Sequence, residues 1–223
     1  MFTKLPRWVE IGSFWLAAIA GSVNAIGLLG FKHQAVSHLT GTSTLLGLAL
    51  VELDGGESLH LLLILLSFLL GAALSGLIID KEALRLGRRY SVALLIEGAL
   101  LLLAMLALGH GSNSGHFLAS AACGLQNGMV STYSGAAIRT THVSGLFTDL
   151  GTMLGHRLRG HPLDARKAWL YLLLIFGFVL GGALGAWSFA QLQFQALAIP
   201  AAGAITLALV YIVYRRYGPQ PQG

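Results

Sequence analysis

Charge is scarce in this chain. Asp, Glu, Lys and Arg make up 10% of its 223 residues, against about a quarter in an ordinary soluble domain. So few charges cannot cover a water-facing surface, which excludes a soluble globular fold. Cysteine is scarcer still. Cys123 stands alone, so neither an intrachain disulfide nor a thiolate metal site can form, and in its apolar setting it reads as packing. No P-loop, dinucleotide fingerprint, Gly-x-Ser-x-Gly or His-Glu-x-x-His occurs. Ser144, His142 and Asp149 supply the residue types of a hydrolytic triad, but within a turn or two of one helix, which is no evidence of triad geometry. An enzyme is the least expected class. His156 and His161 have no supporting ligands nearby, so neither a metal nor a cofactor is expected.

What the chain has in quantity is apolar sequence. Hydrophobic residues are 55% of it and the mean hydropathy is +0.73. Eight apolar segments run over 9–31, 36–53, 59–79, 91–109, 116–138, 143–155, 168–190 and 195–214. Most approach the roughly 20 residues that a membrane crossing needs. The sixth is too short and the second is polar at its start. The expectation is an all-α polytopic membrane protein, with membrane lipid as its surroundings. The net charge of +5 and pI near 9.7 come from Lys and Arg gathered in short loops, as the positive-inside rule requires. They form no basic stripe with interleaved aromatics, so nucleic acid is rejected. Lys4 and Arg7 followed by 11–20 imitate a secretory leader. The repeat described next argues instead for a retained first helix.

Residues 21–47 and 124–151 carry one pattern twice: Gly-x-x-Asn, a gap, then His-x-[Ser/Thr]-Gly-x-x-Thr-x-x-Gly. Phe14, Ala18, Gly21 and Asn24 match Phe117, Ala121, Gly124 and Asn127. Further on, Phe68–Leu74 matches Phe178–Leu184. The halves are therefore 1–109 and 110–223, each with four apolar segments, A to D. Basic stretches lie at Lys4/Arg7, 81–89, 157–167 and Arg215/Arg216, and the loop 52–57 is acidic. All basic stretches fall on one side only if each A and B pair makes one net crossing. Each half then crosses three times, and the second is inverted relative to the first. Such inverted repeats with a broken or re-entrant segment are the plan of many secondary transporters. Segment B is the better re-entrant candidate, because Ser37 and Thr141 at its start are good helix caps.

On Gly21–Asn24, Thr40-Gly41, Gly124-Leu-Gln-Asn127 and Ser144-Gly145, in this order and spacing, the chain resembles the YoaK-like family of bacterial inner-membrane proteins. The resemblance implies a multi-pass fold and a bacterial inner-membrane location, with a cytoplasmic N-terminus from the loop charges. It implies no reaction. Asn24 stands where that family carries Asp, and Thr42 where it carries Asn, so a carboxylate role is not carried over.

The candidate solute-binding residues are duplicated. Asn24 and Asn127 either contact a ligand from each half or bond across the repeat interface; an amide at bilayer depth must be paired. His38 and His142 can carry protons or cap a helix. Thr40, Gly41 and Thr44, with Ser144, Gly145 and Thr148, form the first turns of the B helices, whose N–H groups favour an anion or a carbonyl oxygen. Arg139 reads as an anion contact or a snorkelling interfacial residue. Asp149 breaks the symmetry and is the preferred intramembrane carboxylate, pairing with Arg139 or His142 or carrying a proton. Glu97 reads as nearer an interface and wet. Ser67, Gly71 and Ser75, with Gly177, Gly181 and Gly185, make small-residue faces that pack the C helices together or across a homodimer. The leading expectation is a small secondary transporter for a small polar or anionic solute. The alternatives are a channel for an ion or small solute, and a non-transporting assembly or lipid-binding module.

Overall fold

The computed structural model describes residues 7–30, 36–79, 88–134 and 140–217. All secondary structure among them is helical: α1 (Arg7–Gly30), α2 (Leu39–Val51), α3 (Gly55–Ile78), α4 (Arg88–Gly109), α5 (Ser114–Ser134), α6 (Val143–Leu158), α7 (Ala165–Leu192), a short 3-10 turn (Gln193–Leu197) and α8 (Ala198–Tyr217). Stretches 10–30, 55–78, 88–109 and 165–216 are long and apolar enough to cross a membrane. Large apolar side chains such as Leu69, Leu77, Leu184 and Trp187 are exposed around the bundle. Water would penalise such a perimeter and lipid would not. The long apolar helices and the apolar perimeter are those of a polytopic membrane protein.

Local chemistry sets the helix ends. Asp54 caps α3, its Oδ1 accepting from Gly56 N–H and Glu57 N–H at 3.0 Å each. Asp164 caps α7 through Lys167 N–H at 3.0 Å. Helices α4 and α6 close in the same way. Ser112 N–H reaches Ala107 O and His161 N–H reaches His156 O. Gly111 (φ +74°) and Gly160 (φ +88°) provide the left-handed residue this closure needs.

Helix α1 packs along α7, and α3 along α5. Both pairs are parallel. Phe14, Ala18 and Ser22 meet Gly177, Gly181 and Gly185 in ascending order. Ile64, Phe68 and Ser75 meet Ser120, Gly124 and Gly128 likewise. A Cβ on Gly21 would collide with the Phe178 carbonyl, and one on Gly124 with the Phe68 carbonyl. A Cβ on Gly181 would strike the Ala18 carbonyl, and one on Gly71 the Ala121 carbonyl. Each contact between an A and a C helix therefore has a twin. The small-residue faces expected to join the two C helices, or two copies of the chain, are instead filled by α1 and α5. Gly71, Ser75, Gly177, Gly181 and Gly185 are buried there.

One end of the bundle gathers Gly30, Asp54, Gly56, Ser112, His116 and Phe194 around one cavity. The other end gathers Glu10 with Arg166, and Ile11 with Tyr90 and Tyr211. So α1, α4 and α7 run from the second end to the first, and α3, α5 and α8 run back. Helix α2 spans only about 20 Å. It starts beside Asn24 and Phe178 and finishes at the first end. Helix α6 starts beside Asn127 and finishes at the second end, ahead of Arg166. The loops 52–54 and 159–164 therefore lie at opposite ends.

Gly181→Ala should destabilise the protein by about 1–3 kcal/mol, because the α1–α7 seam has no room for a methyl. At Gly76 nothing lies within 4 Å of an added Cβ. Gly76→Ala should be neutral, or stabilise by up to about 1 kcal/mol through helix propensity. Unfolding in detergent micelles compares the two; equal effects would contradict the seam.

Candidate functional site

The two Gly-x-x-Asn motifs anchor the short helices. Ser37 Oγ donates to Asn24 Oδ1 at 2.8 Å, both side chains being buried. Asn127 Nδ2 donates to Thr141 Oγ1. Asn24 lies six residues, about 9 Å, inside the end of α1, and Asn127 about 10 Å inside the end of α5. Ser37 and Thr141 are thus each fastened by an amide well inside the end of the preceding A helix. Gln126 adds a second fastening, its Nε2 donating to Leu16 O at 2.6 Å and to Thr140 Oγ1 at 3.1 Å. These bonds favour the structural reading of Asn24 and Asn127 over ligand contact. They also correct the assignment of caps. Ser37 and Thr141 bond to the asparagines, and the N-cap residues are His38 and His142, whose side chains make no capping bond.

The remaining candidates are placed less convergently than the sequence implied. His38 is exposed, with its ring edge-on to Phe178 at 6.3 Å. His142 is exposed, and its ring occupies the space that a Cβ on Gly145 would need. Thr44 and Thr148 donate to the carbonyls of Thr40 and Ser144 at 3.0 Å, so their hydroxyl protons are spent inside their own helices. Nothing lies within 4 Å of a Cβ built on Gly41. Asp149 is exposed on α6. Arg139 lies outside the described residues. Helix α2 packs on α3 and α6 on α7, and the two short helices do not touch each other. The expected meeting of their N-termini in one site is not found in this conformation. The reason is steric: each short helix lies on the C helix that follows it in sequence.

Two cavities lie elsewhere, and neither is lined by any of those residues. The larger, about 520 Å³, opens at the end bearing Asp54 and Glu57. Its wall holds a His60–His116 pair, with Nε2 and Nδ1 2.9 Å apart. One ring nitrogen must donate and the other accept. The smaller, about 260 Å³, is lined by α1, α4, α5 and α8 at the opposite end, and is apolar apart from Ser13 and the hydroxyls of Tyr90, Tyr211 and Tyr214. Glu97 lies between the cavities along α4, only 1% exposed. The expectation of a wet residue is not met, because Glu97 lies on the buried face of α4, the helix that packs on α5 and α8. The sequence did not single out His60 or His116 either. They occur once each, outside the repeat, and a histidine beside the acidic loop was the one available signal.

Residues 12–210 match the family described as protein of unknown function, DUF1275. The chain belongs to this family. No curated protein and no solved structure matches it. Membership in DUF1275 extends the family across both Gly-x-x-Asn motifs and leaves its chemistry to be read from the bundle itself.

Removing either partner of the Asn24–Ser37 bond leaves the other buried and unsatisfied. Asn24→Ala and Ser37→Ala should each cost about 1–3 kcal/mol. The double variant should cost less than their sum by about 1 kcal/mol. Strictly additive losses in detergent unfolding would contradict the anchoring role.

Proposed function

We propose that the chain is a small secondary transporter, built from inverted halves 1–109 and 110–223, that moves a small polar solute across a bacterial inner membrane. The observation that carries this reading is the duplicated anchoring of α2 and α6. In each half a short helix starts at depth, just after a serine or threonine held by an asparagine thirteen or fourteen residues earlier. The two helices leave for opposite ends. Paired half-helices of opposite sense, tied to neighbouring through-going helices, are the device by which inverted-repeat carriers present backbone groups to a solute. Irregular backbone at such depth is tolerated where protein or a polar cavity satisfies it. The YoaK-like kinship and a cytoplasmic N-terminus belong to the same reading.

The cavity beside Asp54 and Glu57 is the solute's first contact from outside. Its two carboxylates and paired imidazoles favour a neutral or cationic solute over an anion, since a like charge would be repelled. His38, His142 and the hydroxyl faces of α2 and α6 become contacts only in a conformation that brings the short helices toward each other. The channel alternative needs a continuous polar path, and the apolar lining of the inner cavity argues for a carrier.

Liposomes holding the purified chain should take up one class of radiolabelled amine, amino acid or polyol with saturation, faster when the same solute is loaded inside. Flux rising linearly with the gradient would favour a channel. Uptake no greater than in protein-free liposomes, across all classes including carboxylates, would remove the transport reading.

A further inference from the structure

Among the described residues, the one carboxyl buried at mid-bundle is Glu97. It lies in α4, within a stretch apolar enough to cross a membrane, and is 1% exposed. Its Oε2 has no hydrogen-bond partner among the described residues. A structural carboxyl in that position would be expected to bond, since an unsatisfied buried polar atom costs free energy that an alanine or leucine would not. An ionisable residue at membrane depth is costly, and its retention marks ion or proton pathways.

The surroundings narrow the role to protons. Among the described residues, Cys123 on α5 is the titratable group placed to feel a charge on Glu97. From α8, the span 198–210 offers only apolar residues, Gly203, Pro200 and Thr206, and from α1 the span 11–30 carries no charge. The 3-10 turn contributes no titratable group, and α3 carries Glu57 and His60 only at its far end. With no second carboxylate and no ring of oxygens, the place does not suit a metal cation, which needs several oxygen ligands. A proton needs only the one oxygen.

Position supplies the path. Tyr90, Leu94, Glu97, Leu101 and Leu108 fall on one buried stripe of α4. Tyr90 and Leu94 line the inner cavity, and Leu108 lines the outer one beside His116. Glu97 is thus one turn, about 5 Å, from the inner cavity and about 17 Å of helix from the outer. Leu101 and Ala104, both fully buried, close the outer route. We infer that Glu97 is the proton-carrying residue of the transport cycle, sealed in this conformation one turn beyond the inner cavity, and reached by water from that cavity in one state of the cycle and from the His60–His116 cavity in the opposite one. The step makes and breaks only an O–H bond: the carboxylate takes a proton from water at one end and returns it to water at the other. This inference rests on the transporter reading for its cycle, but the exchange of Glu97 with water is testable without a solute.

The test is labelling with dicyclohexylcarbodiimide, which reacts with protonated carboxylic acids reached through an apolar phase, on the full chain in liposomes across a pH series. Mass spectrometry maps the adduct. Modification at Glu97 should fall about tenfold per pH unit above its midpoint and vanish in Glu97→Gln, an isosteric neutral variant. Absent or pH-independent modification of Glu97 in the wild-type chain overturns the inference, whether or not the variant folds. For a solute that is taken up, Glu97→Gln should flatten the pH dependence of uptake and Glu97→Asp should restore it in part. An unchanged profile overturns the inference too. A titrating label without uptake of any solute would instead sink the transport reading and leave Glu97 as a proton-exchanging group.

Discussion

The close approach of backbones along α1–α7 and α3–α5 is the constraint on which the rest of this bundle depends. Lipid offers apolar side chains no incentive to leave it, so association must come from van der Waals contact, and contact is best where side chains are absent. Gly21, Gly71, Gly124 and Gly181 each place bare Cα against a carbonyl of the partner helix. Because each seam joins a helix of residues 1–109 to one of residues 110–223, neither half can complete its packing alone. Helices α4 and α8 pack on each other, α4 on α5 and α8 on α1, and Glu97 is buried on the inward face of α4.

The seams also govern how polar groups are used. A helix held at glycine distance has carbonyls within reach of side chains on its partner. Ser120 Oγ bonds Ile64 O at 2.9 Å across the α3–α5 seam, and Gln126 Nε2, on α5, reaches Leu16 O on the neighbouring α1. The asparagines hold the chain just ahead of α2 and α6 in the same way. Most buried polar atoms at depth are thus spent on holding segments together. Glu97 Oε2 and Ser75 Oγ are left over, and the carboxyl, which can change its charge, is the one with chemical scope.

Much of the fold was legible because its causes are local. The apolar runs gave each helix to within a few residues, and Asp54 and Asp164 act where a capping residue would be read. The opposite ends reached by α2 and α6 followed from loop charge, since Glu52–Glu57 and Arg157–Lys167 differ in sign. The site was much less legible. Asn24 and Asn127 are visible as repeated amides, but their partners Ser37 and Thr141 read equally well as caps, because a hydroxyl just ahead of a helix suits either task; both lie two residues before the first helical residue. Partner choice among the glycine faces was hidden for a similar reason. Small-residue spacing shows that a face packs closely and not upon what. Glu97 escaped because depth within a bundle depends on which helices surround α4, and one helix's sequence does not carry that.

The two ends of the bundle make the account directly testable. Cys123 would be replaced by alanine and single cysteines placed at Gly56, in the first turn of α3, and at Gly160, in the turn after α6. An impermeant thiol reagent would then be added to intact cells. Anchored short helices leaving in opposite directions predict labelling of Gly56→Cys from outside, and of Gly160→Cys only after the membrane is breached. Labelling of both from one side would contradict the opposed arrangement on which the inverted architecture rests.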